Sequence, residues 1–152
     1  SGGEFLMSPI EKIKALLSKV REYFSGKIII TTSGMYPLKI KTLYKNNLAD
    51  GFHIDMKLPY HALDVKEDAE IYEKIMGITP TPKMVENLLT SLDTVLAHNS
   101  PNDQVRTVKY PLLDTDFFLE IEHYIKKRKN HFNSQVNYFL NDFMAPPSQK
   151  QA

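Results

Sequence analysis

Residues 51 to 57 read Gly-Phe-His-Ile-Asp-Met-Lys, and the alternation in that run constrains the chain more than any other feature. In an extended strand successive side chains point to opposite faces, so Phe52, Ile54 and Met56 share one face and His53, Asp55 and Lys57 the other. The flanking stretches have helical periodicity, which predicts a parallel α/β sheet buried on both faces. A polar row in such a sheet has to line something.

The rest of the chain supplies the other elements. Ser8-Pro9 predicts an N-cap with proline at the first helical position. Ile10, Ile13, Leu16, Leu17, Val20 and Phe24 follow at helical spacing as far as Ser25-Gly26. Residues 27 to 32 are mostly β-branched and too short for a helix, so they predict a buried strand closed by Ser33-Gly34. Pro37 opens a helix through Leu48, with Leu38, Leu43 and Tyr44 directed inward. Pro59 ends the strand at 52 to 57, and a loop from Tyr60 leads to a helix from Glu67 to Met76. Beyond Pro80 and Pro82 a helix runs from Lys83 to His98, and Asn99 to Asp103 is a turn. A third strand covers 104 to 110, a helix capped by Asp114 or Thr115 follows, and a fourth strand covers 135 to 141. One domain through residue 143 and a disordered tail from 144 to 152 complete the expectation.

Composition removes several classes of function. Nineteen basic against eighteen acidic residues give a net charge of +1, so no global field favours nucleic acid or an anionic membrane. No apolar run reaches the roughly 20 residues that span a bilayer, and a cytoplasmic protein is expected. Without cysteine the chain offers no disulfide, no thiolate nucleophile and no cysteine-ligated cluster. The run Lys126 to Lys129 is a solvated helix end. His53 reads as a core histidine rather than a metal ligand, because no second histidine lies at metal spacing, and His61, His98, His123 and His131 read as exposed. The six methionines form no stripe and read as core filling.

Helices alternating with four short strands predict βα units around a parallel sheet, open or curved toward a barrel. Ligands of such sheets sit beyond the C-terminal strand ends. The polar groups there are Thr32-Ser33-Gly34, Asp55 with Lys57, Lys109-Tyr110 and Asn141-Asp142. Asp55 and Lys57 are also able to form an internal ion pair, the less favoured alternative, and Arg106 could pair with Asp55 or with Glu4.

Several of these residues fall into a known pattern. Ser1-Gly2-Gly3-Glu4-Phe5-Leu6-Met7-Ser8-Pro9 resembles the segment after the second barrel strand of radical S-adenosylmethionine enzymes, with Phe5 in place of a proline. Thr31-Thr32-Ser33-Gly34 is similar to their threonine-asparagine-glycine after the third strand, and Asp55-Met56-Lys57 to the aspartate-x-lysine of the fourth. Arg106-Thr107-Val108 with Pro111-Leu112-Leu113 resembles the fifth strand and its exit, and residues 137 to 143 resemble the sixth. The nearest pattern is that of the activating enzymes of glycyl-radical proteins, of the anaerobic ribonucleotide reductase or pyruvate formate-lyase type.

The resemblance implies a partial, TIM-like (β/α) barrel that lacks its first two strands, the C-terminal two-thirds of a longer chain. In that family a four-iron four-sulfur cluster held by Cys-x-x-x-Cys-x-x-Cys reduces S-adenosylmethionine, and the resulting radical takes a hydrogen from a glycine of the partner enzyme. The resemblance gives Gly2, Gly3 and Glu4 to the methionine amino group, Thr32 to the cofactor's vicinity, Asp55 to the ribose or polar edge and Lys57 to the methionine carboxylate. An ammonium facing a carboxylate, and a carboxylate facing a lysine, are charge-assisted bonds that suit such roles. The segment 60 to 77 is the expected docking surface for a glycyl-radical enzyme. The strand at 28 to 32 is an expected bare edge open to self-association. The alternative is a cluster-free, non-enzymatic relative that binds a nucleotide-like molecule or a protein.

Overall fold

The computed structural model describes residues 4–145. After a 3-10 turn at Phe5–Met7 come α1 (Ile10–Tyr23), β1 (Ile29–Thr32), α2 (Pro37–Lys45), β2 (Gly51–Asp55), α3 (Ala69–Met76) and α4 (Pro82–His98). β3 (Gln104–Lys109), α5 (Thr115–Phe132) and β4 (Asn137–Asp142) complete the order. Residues 1 to 3, with Gly2 and Gly3, and most of the expected tail lie outside the described residues.

The four strands form one sheet in the order β1-β2-β3-β4, and every pairing is parallel. Each strand sits beside its predecessor, so every crossover steps the same way, and the right-handed crossover rule then puts the connecting helices on one side. Burial agrees. Ile30, Thr32, Phe52, Ile54, Val105 and Thr107 are buried, whereas Ile29, Thr31, His53, Asp55, Gln104 and Arg106 are exposed or half-exposed. The expectation of a sheet buried on both faces is therefore corrected to one covered face and one open face. The polar row of β2 is on the open one.

A single core lies under the covered face. It gathers Ile13 and Leu17 from α1, Ile40 and Leu43 from α2, Tyr72 from α3, Leu88, Leu92, Val95 and Leu96 from α4, and Phe118, Ile121 and Ile125 from α5. Leu16, Phe24 and Leu38, expected inside, are exposed, and so are Met7 and Met144. Each helix buries a narrower stripe than its apolar count predicts, because it has a sheet on one side only.

Helix ends follow local chemistry, with two corrections. Thr81 accepts from the Met84 amide at 3.2 Å to start α4, and Asp114 accepts from the Asp116 amide at 3.1 Å to start α5. Ser8 does not cap α1. Pro9 holds that position with an extended ψ of 140°, and its carbonyl accepts from Lys12 and Ile13. α2 stops at Lys45 rather than Leu48, because the Asn46 side chain donates back to the Thr42 carbonyl at 2.8 Å and Asn47 turns left-handed at φ 54°.

At the N-terminal ends of the strands, Asp103 is buried and accepts four bonds: Tyr44 Oη at 2.7 Å, the Phe52 amide at 2.9 Å, His98 Nδ1 at 2.9 Å and the Ser100 amide at 3.0 Å. His98 is exposed, as expected, and stacks on Tyr44 with ring centroids 3.5 Å apart, so it is also part of this knot. Burial, then the Asp103 carboxylate, push the Tyr44 phenol far above its ordinary range. The knot ties α2, β2, α4 and β3 together at the end of the sheet away from the candidate site. Among the described residues no helix is long and apolar enough to cross a membrane.

Candidate functional site

The C-terminal end of β1 is organised by Glu4, from 28 residues away in the chain. Its Oε1 accepts from Thr32 Oγ1 at 2.7 Å and from the Leu6 amide at 3.3 Å, and its Oε2 accepts from the Ser33 amide and Ser33 Oγ, both at 2.8 Å. A carboxylate offers about four acceptor directions, and all four are taken by the chain. Thr32, buried, passes the network on by accepting from the Gly34 amide at 3.1 Å. Gly34 adopts φ +93°, where a side chain would be strained and would meet Ile54, and its carbonyl accepts from Ser91 Oγ of α4 at 2.6 Å. The segment before α1 is thus fastened to β1 and, through the turn, to α4. Lys39 adds a second clamp, donating to the Leu6 and Ser8 carbonyls at 2.7 and 2.8 Å.

One strand over, Asp55 ends β2 on the open face. Arg106 of β3, its register partner, donates to Asp55 Oδ1 from Nε and lies 3.1 Å away through Nη2 as well. Of the two partners open for Arg106, Asp55 is the one it takes. Lys57, half-buried, makes no ion pair among the described residues, so the internal Asp55–Lys57 pair does not form. Its backbone is fixed instead: the Lys57 amide donates to Tyr60 Oη at 3.1 Å, and burial pushes that phenol above its ordinary range. Ser33, Asp55 and Tyr60 meet at the ends of β1 and β2 around a void of about 10 Å³, which Ile54, Met56, Leu88 and Leu92 close from the covered side and which is too small for any organic ligand.

His53 lies deeper along the same face, between Thr31 of β1 and Gln104 of β3 in the register. It is half-exposed, which corrects the expectation of a core histidine. Burial and the Arg106 guanidinium lower its pKa, against weaker opposition from Asp103 and Asp55. At the far strands Lys109 approaches Asp142 at 4.0 Å and Tyr110 lies 5.6 Å from Phe143.

The fold brings Glu4 and Thr32 into direct contact and sets Asp55 beside Ser33, while Gly2 and Gly3 lie outside the described residues. The sequence offers Ser33 only as part of the polar strand end Thr32-Ser33-Gly34, and it does not single out Tyr60. A small polar residue just past a β-branched run signals the first, but the Tyr60 bond has no sequence signal. Among the described residues no cluster of His, Cys, Asp or Glu could hold a metal ion. No family model, no curated protein and no solved structure matches the chain.

Proposed function

We propose that the chain is the cofactor-facing part of a radical S-adenosylmethionine barrel, of the kind that activates a glycyl-radical enzyme in the cytoplasm. The four parallel strands are then a segment of a TIM-like barrel wall, and their open face lines the lumen. The observation that supports this reading most is the adjacency of the first two strand ends, where Glu4 bonds Ser33 just past β1 and Asp55 closes β2 on the open face, with Lys57 two residues beyond. Ligands of sheets of this type bind at that end.

The residues suit S-adenosylmethionine. Lys57, without an ion partner among the described residues, is the cation for the methionine carboxylate. Asp55 engages Arg106 through Oδ1 alone and keeps Oδ2 for a ribose hydroxyl. Glu4 has no acceptor direction left, so it acts as a positioning residue that fastens the segment before α1 to β1, and the ammonium contact is left to Gly2 and Gly3, which the resemblance also names and which lie outside the described residues. When bound, S-adenosylmethionine supplies the group that removes a hydrogen atom from the partner's glycine. The four-iron four-sulfur cluster does not fit these residues, since the sequence has no cysteine. This chain's share of the chemistry is binding and orientation.

A second reading, a cluster-free module that binds a nucleotide-like molecule or a protein, is favoured by that same lack of cysteine. Calorimetric titration with S-adenosylmethionine tests the first: saturable binding that is weakened in Lys57→Ala supports it, and no binding by the unaltered chain refutes it.

A further inference from the structure

The loop after β2 and the start of α5 enclose a groove that the site does not use. Pro59, Ala62, Leu63 and Phe117 form its apolar floor, in a hollow of about 230 Å³, and Asp116 and Glu120 form its rim. A second, larger hollow of about 630 Å³ shares Asp116 and Glu120 and continues over Leu119, which is exposed, toward Glu122, His123 and finally Lys126. The first lies at the C-terminal side of the sheet, because one wall follows β2 and the other follows β3, and the second runs on along α5.

The rim has one sign where the floor is apolar. Glu120 engages His61 Nε2 at 2.9 Å through Oε1, while Asp116, in the exposed first turn of α5, engages no cation among the described residues. The two walls are joined by fixed contacts: His61 stacks on Tyr124 of α5 at 3.9 Å, and Tyr60 is buried and accepts from the Lys57 amide. Such a groove is pre-formed and needs no closure to receive a chain.

We infer that this groove docks an extended peptide segment of a partner protein, with an apolar side chain seated over Leu63 and Phe117 and lysine or arginine residues beside it facing Asp116 and Glu120. Charge complementarity selects that occupant: an acidic or neutral segment would leave Asp116 facing no cation and would place no charge against the second oxygen of Glu120. The inference deepens the proposed function by naming the partner's chemistry at a surface one turn of chain from Lys57. It moves the docking surface from the segment 60 to 77 as a whole to residues 59 to 63 and the start of α5.

Titrating the ¹⁵N-labelled chain with the blocked peptide Lys-Leu-Arg-Phe-Lys, without S-adenosylmethionine, tests it. Shift changes centred on Ala62, Leu63, Phe117 and Glu120 are expected, and Asp116→Asn with Glu120→Gln should raise the dissociation constant on the order of tenfold. The fold of that double variant is checked by its unchanged spectrum away from the groove, since Asp116 is exposed and glutamine keeps a bond to His61. Equal binding of Glu-Leu-Glu-Phe-Glu, changes centred on the open sheet face, unaltered affinity in the double variant, or no binding would each overturn the inference. Because the cofactor is absent from this titration, its failure leaves S-adenosylmethionine binding to be judged separately.

Discussion

Arg106 places Nε and Nη2 each 3.1 Å from Oδ1 of Asp55, across the β2–β3 register on the open face of the sheet. Both side chains are about 30% exposed, at 28% and 32%, so solvent screens the pair. Arg106→Leu should cost only about 0.2–1 kcal/mol in urea denaturation. A loss above about 3 kcal/mol would mean that the pair holds the sheet together rather than shaping the open face.

The opposite end of the sheet behaves differently, because Asp103 is buried. Tyr44→Phe removes one donor to that carboxylate and should cost about 1.5–3 kcal/mol. Asp103→Ala leaves the Tyr44 hydroxyl and two amides without their acceptor and should cost on the order of 3 kcal/mol or more. Thermal and urea unfolding would measure both, and equal small losses would contradict the four-donor knot.

These two carboxylates show what was legible in the sequence. The alternation Phe52-His53-Ile54-Asp55 marks a two-faced strand, and the four strands, five helices and their parallel order follow from periodicity and punctuation. Which face is covered was not legible: burial on both sides was inferred from helices flanking the strand, whereas the strand order sends every crossover to one side. Asp103 reads as one more turn residue after Asn99, because its four donors come from Tyr44, Phe52, His98 and Ser100, up to 59 residues away. The Glu4–Ser33 link is hidden for the same reason.

His53 makes stability depend on pH. Burial and Arg106 lower its folded pKa, and Asp103 and Asp55 oppose them, so the unfolded chain binds the proton more readily. The contribution is complete above the unfolded value of about 6.5 and is lost as pH falls below it toward the folded value. The urea midpoint of the unaltered chain should therefore fall further between pH 7.5 and pH 5 than that of His53→Gln. Identical falls would remove His53 as the cause.

Gly51, the first residue of β2, has no room for a side chain. A Cβ there would lie 2.2 Å from the Asn102 carbonyl oxygen, which is backbone and cannot swing away. Gly51→Ala should cost about 1–3 kcal/mol or more and loosen the turn before β3, visible as faster amide exchange at Asp103 and Phe52. A variant as stable as the parent would show that the turn shifts freely.

The site itself rests on Lys57, and calorimetry with S-adenosylmethionine on the unaltered chain, Lys57→Ala and the exposed control Lys45→Ala addresses it most directly. One saturable site is expected, which Lys57→Ala weakens by on the order of 1.5–3 kcal/mol and Lys45→Ala leaves unchanged. Equal affinity in all three proteins, or no heat of binding in any, would contradict it.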